Sequence, residues 1–136
     1  MGCYVVILMD TCAIIWDALK PSELTPAAVD AIESADKNRL LMIADISIWE
    51  ISMLIKKKRI EVSIPAAEFI HLFLKSRNIQ VQSITPEIAE KSVGFGSDIN
   101  KDPADRIISA TSVVCNAVLV TADGNLRDSS IVNTIW

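Results

Sequence analysis

Four acidic residues stand where a predicted strand or loop gives way to a helix: Asp10, Glu50, Asp105 and Asp123. The densest of these stretches is Asn100-Lys101-Asp102-Pro103-Ala104-Asp105-Arg106, which reads as the front edge of a buried helix. Asp102 suits the N-cap, and Pro103 the first helical position, where no N–H is needed. Behind them Ile107, Ile108, Ala110, Thr111, Val114 and Cys115 form an apolar stripe at helical spacing. Each acid also has a plain structural explanation. Asp10 can cap the helix that follows it. Glu50 can complete a capping box with Ser47, and Asp105 can do the same behind Asp102. Asp123-Gly124 is a good turn pair. If the four converge, however, more is required. Like charges about 5 Å apart repel by roughly 3 kcal/mol per pair at an effective dielectric near 20, and protons or cations must offset them.

A cluster of carboxylates with neither histidine nor cysteine suits a hard divalent cation. Mg²⁺ takes one or two carboxylates, keeps several waters and accepts substrate phosphate. That arrangement serves phosphodiester hydrolysis, in which one ion activates water and a second steadies the leaving oxygen. Thr11, Ser47 and Thr121 are placed to hold carboxylates or waters around such an ion. Arg106 and Lys101 are candidates for contact with substrate phosphate.

Convergence depends on the elements. Residues 4–9 form a continuous apolar run rich in β-branched side chains, the pattern of a strand covered on both faces. Further strands are predicted at 40–44, 79–81 and 117–121, with an edge strand at 131–135. Helices are predicted from Thr11, from Thr25-Pro26 with Ala28, Ala31, Ile32 and Ala35 inward, and from Ser47 to about Lys57. Others begin at Ser63-Pro65, at Thr85-Pro86 and at Asp102. Strands separated by helices indicate an α/β fold with a central parallel sheet. Ligands in such sheets bind beyond the carboxyl ends of the strands. Asp10 and Asp123 follow strand ends, and Glu50 and Asp105 lie in the first turns of helices leaving the same edge.

Composition narrows the field. At 136 residues with 51% apolar content, the chain supports one folded domain, residues 1–136, and not a disordered one. Residues 4–9 are too few for a membrane span, and no basic n-region or cleavage site marks a signal peptide. Met1-Gly2-Cys3 opens like a myristoylation site but has Val at position 6. The expectation is a soluble, cytoplasmic protein. Cys3, Cys12 and Cys115 make no C-x-x-C pair and read as reduced, mostly packed thiols. His71 is the only histidine, in an apolar run, and reads as structural. The run Lys56-Lys57-Lys58-Arg59 reads first as favourable charge at a helix C-terminus. A net charge of −4 argues against a broad electrostatic grip on nucleic acid, but not a local one.

The motifs Leu8-Met9-Asp10-Thr11, Ser47-Ile48-Trp49-Glu50-Ile51, Lys101-Asp102-Pro103-Ala104-Asp105-Arg106 and Leu119-Val120-Thr121-Ala122-Asp123 resemble, in order and spacing, those of PIN-domain nucleases. The resemblance is nearest to the VapC-type toxins of prokaryotic toxin–antitoxin modules. It implies a three-layer fold, with a central parallel sheet of four to five strands flanked by helices, and Mg²⁺- or Mn²⁺-dependent cleavage of RNA. It places the family's four metal-site acids at Asp10, Glu50, Asp105 and Asp123, with Asp102 as a helix cap or outer-shell residue. It also implies a homodimer and a cognate antitoxin that inserts a segment beside the acids. Many relatives carry His where this chain has Asn100.

The reading is therefore an endoribonuclease toxin. Its rivals are a PIN nuclease that processes RNA without an antitoxin and a catalytically silent PIN-like module that binds RNA or protein. A haloacid-dehalogenase-like phosphatase is disfavoured because its D-x-D motif would need Asp where Cys12 stands.

Overall fold

An apolar run with no polar alternation needs cover on both faces, and the fold provides it. The computed structural model describes residues 5–136, so Met1-Gly2-Cys3 and the Tyr4 start of the first predicted strand lie outside the described residues. In chain order the elements are β1 (Ile7–Met9), α1 (Thr11–Leu19), α2 (Pro26–Lys37), β2 (Leu41–Ala44), α3 (Asp45–Lys56), α4 (Ala66–Ser76) and β3 (Ile79–Gln82). They continue with α5 (Pro86–Gly94), α6 (Pro103–Val114), β4 (Val118–Val120), α7 (Gly124–Asp128) and β5 (Thr134–Ile135). A 3₁₀ turn, Pro21–Glu23, lies in what reads from the sequence as a plain loop.

The strands form one parallel sheet in the order β3-β2-β1-β4-β5. Side chains alternate across it. Ile7, Met9, Leu41, Ile43 and Val120 enter one core with Ile14 of α1, Ile32 of α2 and Phe69 and Phe73 of α4. Leu8, Met42, Ala44 and Leu119 enter the other, with Ile108 of α6 and Leu126 of α7. A slip of one residue would exchange the faces of a strand, so these two cores hold the register. That register sets the site: Met9 pairs with Ile43 on one side and with Val120 on the other. The residues that follow β1, β2 and β4 therefore leave the sheet side by side. Arg77 braces the first core from outside, donating to both Asp17 oxygens at 2.8 and 3.0 Å and to Asp36 at 3.0 Å.

Several expectations are corrected. The Ser47–Glu50 capping box does not form. β2 passes directly into α3, so Asp45 takes the first helical position, and Ala44 at the cap makes no side-chain bond. Ser63 caps nothing, because α4 starts at Ala66 with Pro65 in the cap position. β5 shortens to two residues at the edge of the sheet, and α7 forms where only a turn reads from the sequence. His71 is exposed on α4, and Cys12 is exposed on α1, so neither is packed as expected. Lys57, Lys58 and Arg59 are exposed beyond the end of α3, as helix-end charge should be.

Candidate active site

Asp10 is both a helix cap and a half-buried acid. Its carboxylate accepts from the Ala13 N–H at 2.8 Å. The Thr121 side chain and this bond favour the ionised form, but burial outweighs them, and Asp105 and Asp123 add repulsion. The Asp10 pKa is raised from 3.8 to about 6. Desolvation is thus the leading cause, ahead of the repulsion among acids emphasised by the sequence pattern.

Glu50 is held by a chain of hydroxyls. Thr11 Oγ1 donates to Glu50 Oε1 and lies 3.0 Å from Ser47 Oγ. Thr11 has a single hydroxyl proton, and the carboxylate can only accept, so Ser47 is the donor to Thr11. Ser47 and Thr11 are both buried, and their role is to orient Glu50 rather than to cap a helix. Burial raises the Glu50 pKa; the Thr11 bond opposes this, and Asp105, Asp102 and Asp10 reinforce it.

Asp105 does not cap α6. Asp102 does, its Oδ1 accepting from the Ala104 and Asp105 N–H groups at 2.9 and 3.3 Å. The Asp105 carboxylate is left facing the site, where Oδ2 accepts from Asn100 Nδ2 at 2.9 Å. Its pKa is raised by burial, lowered by the Asn100 bond and raised again by Asp102 and Asp123. Asp123 caps α7 through the Asn125 and Leu126 N–H groups at 2.8 and 3.2 Å, and its own N–H donates to Thr121 Oγ1 at 3.1 Å.

The parallel sheet brings the four acids to one edge, Asp10 capping α1 after β1, Glu50 on α3 after β2, Asp105 in the first turn of α6 and Asp123 capping α7 after β4. The Cys12 thiol, exposed at its surface but partly shielded from water by its neighbours, is pushed up to about 11 by that desolvation first and then by Asp10, Glu50, Asp105 and Asp123. Among the described residues no Lys or Arg forms an ion pair with any of the four. The donor set thus fits a hard divalent cation in its chemistry: carboxylate oxygens, no ion-paired Lys or Arg among the described residues, and three acids held toward protonation. Its spacing is not a ready-made coordination shell, since among the described residues no three such side chains are close enough to hold an ion.

Arg106 departs from expectation. Its Nη1 donates to the carbonyls of Ser92 and Phe95 at 3.2 and 2.9 Å, and its Nη2 to those of Gly96 and Ile99 at 3.1 and 3.3 Å. The end of a helix and the loop after it leave carbonyls without ladder partners, and the planar guanidinium answers four of them at once. Arg106 thus fastens the end of α5 and the loop before α6. Lys101 is exposed. Cys12 and Asn100 neighbour the acids without having been candidate ligands; Asn100 bonds Asp105, and Cys12 stands two residues beyond Asp10.

Beside the acids, Ile46, Trp49, Met53, Pro103 and Ala104 line an apolar groove of about 470 Å³, with Glu50 and Asp102 at its edge. Trp49 is 59% exposed. The other tryptophans pack on each other, Trp16 and Trp136 meeting at a tilt of 45° with ring centroids 5.6 Å apart.

Comparison with known proteins agrees with this architecture. The family described as PIN domain matches residues 7–130. Ribonuclease VapC22 of Mycobacterium tuberculosis is 35% identical over 121 residues, 89% of each chain. Among solved structures, VapBC2 from Rickettsia felis bound to a promoter DNA fragment superposes with a TM-score of 0.72 at 13% identity, covering 95% of this chain and 96% of the other. DNA-bound VapBC from Salmonella typhimurium gives 0.71 at 12%, covering 97% and 98%.

Proposed function

The chain belongs to the PIN-domain family, and we propose that it is a metal-dependent endoribonuclease acting as the toxin of a toxin–antitoxin module. The observation that carries the reading is the group of four acids, far apart in sequence, which the parallel sheet brings to one edge and which among the described residues form no ion pair with Lys or Arg. Asp10, Glu50, Asp105 and Asp123 would hold Mg²⁺ or Mn²⁺. A bound ion would supply Lewis acidity, lowering the pKa of water and offsetting charge on the phosphoryl oxygens. The protein's part is orientation: Thr121 and the start of α1 hold Asp10, the Ser47–Thr11 chain holds Glu50, and the cap of α7 holds Asp123. Asp102 stays an outer residue, capping α6.

Hydrolysis of this kind uses water, not the ribose 2′-hydroxyl, as nucleophile. The new bond joins water oxygen to phosphorus, the bond to one ribose oxygen breaks, and that oxygen leaves with a proton. The products therefore carry no 2′,3′-cyclic phosphate. Mapping RNA ends after incubation with the purified chain and Mn²⁺ tests the reading. The expected result is internal cleavage, lost in chelator, with phosphate and hydroxyl ends. Intact RNA in Mn²⁺, or cyclic phosphate ends, would refute it.

The similarity to a VapC ribonuclease, and the VapBC complexes among the structural neighbours, support a cognate antitoxin. The groove at Trp49 has apolar walls and two carboxylates at its edge, which suits an antitoxin segment presenting an apolar anchor beside a cationic side chain. The proposed assembly of the free chain is a homodimer. Sedimentation at micromolar concentration is expected to give twice the chain mass of 14.9 kDa; a single monomeric species would remove the dimer from the proposal.

A further inference from the structure

Asn100 precedes α6 and touches both the acid that caps it, Asp102, and the acid in its first turn, Asp105. Its Nδ2 donates to Asp105 Oδ2 at 2.9 Å, and its Oδ1 accepts from the Asp102 N–H at 2.9 Å. The two bonds orient the amide without ambiguity. A backbone N–H can only donate, so the oxygen must face Asp102, and the NH₂ is left for the carboxylate. Asp102 is itself anchored to α6 by its cap bonds, and Arg106 fastens the preceding loop through the Gly96 and Ile99 carbonyls. Asn100 is therefore a strut between a fixed loop and one oxygen of Asp105. Among the described residues no hydrogen bond engages the other oxygen, Oδ1.

We infer that Asn100 is a positioning residue, which clamps Asp105 by one oxygen so that the other is free for a divalent cation. The inference rests on the metal-dependent reading of the four acids. The choice of amide has a physical reason. Lys or Arg at this position would neutralise Asp105 and compete with the cation, whereas a neutral donor orients the carboxylate and leaves its charge in place. A neutral imidazole can donate in the same way.

The test compares the intact chain with Asn100→Ala and Asn100→His, without RNA. Mn²⁺ dissociation constants are measured by calorimetry, and melting temperatures in chelator. Loss of an outer partner of a metal ligand typically weakens metal binding about 10–100-fold. Asn100→Ala is expected to lose affinity by about that factor while melting close to wild type in chelator, and Asn100→His is expected to recover most of the affinity. If Asn100→Ala binds Mn²⁺ like wild type, the positioning role is wrong while the metal site stands. If both variants lose affinity together with a collapse of the chelator melting temperature, Asn100 only shapes the loop, and the inference is wrong. If wild type itself gives no Mn²⁺ binding, the metal reading falls and carries this inference with it.

Discussion

Asp105→Asn is expected to abolish metal-dependent RNA cleavage and to relieve the growth arrest caused by inducing the chain alone. The substitution is nearly isosteric and spares the fold for a specific reason: the cap of α6 is Asp102, not Asp105. What it removes is a carboxylate that burial and its acidic neighbours hold toward protonation. A cation would be the partner for that charge. Because outer-shell partners alone are worth about 10–100-fold in metal sites, loss of a direct ligand should lower cleavage at least about 100-fold. The measurement is growth after induction at matched protein levels, with RNA cleavage by the purified variant in Mn²⁺. Equal arrest by wild type and variant would mean that metal-dependent catalysis is not its cause.

Asp10→Asn should change stability in opposite directions with and without metal. An unfolded Asp ionises near 3.8, whereas Asp10 in the folded chain does so at about 6. The folded state thus binds this proton more tightly. The resulting contribution is fully present below about pH 4 and is lost as pH rises through about 6. Above that range the folded chain carries a buried charge at a cost of up to about 3 kcal/mol, reduced by the partial opening of the site toward solvent. Asn caps a helix about as well as Asp, so the α1 start should survive. At pH 7.5 in chelator the variant should gain about 2 kcal/mol, a rise of roughly 6–10 °C in melting temperature for a chain of this length. At pH 4 the gain should vanish. In excess Mn²⁺ the order should reverse, because wild type gains from binding in proportion to the logarithm of ligand over dissociation constant, and the variant has lost a ligand. Thermal melting at the two pH values, in chelator and in Mn²⁺, checks all three. A variant that melts with wild type in chelator at pH 7.5, and gains as much from Mn²⁺, would take Asp10 out of the site.

The parallel α/β sheet, and the convergence of Asp10, Glu50, Asp105 and Asp123 at one edge, were legible in the chain because they rest on local signals. Apolar runs without alternation demand cover on both faces. Asp102-Pro103 starts a helix by its own chemistry. The strand–helix alternation then brings the acids after β1, β2 and β4 to the same edge of the sheet. The partner of each acid was not legible, because partners are set by contacts between distant segments. Glu50 looked like the far end of a capping box and is instead held by Thr11, 39 positions away. Arg106 looked free for phosphate and is committed to four carbonyls at the end of α5 and in the loop after it, whose path no local pattern records. Local propensity marked the starts of α1, α2, α5 and α6, but not those of α3, α4 or α7. Tertiary packing decided which acids lose their water, and burial, the leading cause of the raised pKa of Asp10, Glu50 and Asp105, exists only once the two cores have closed around the sheet.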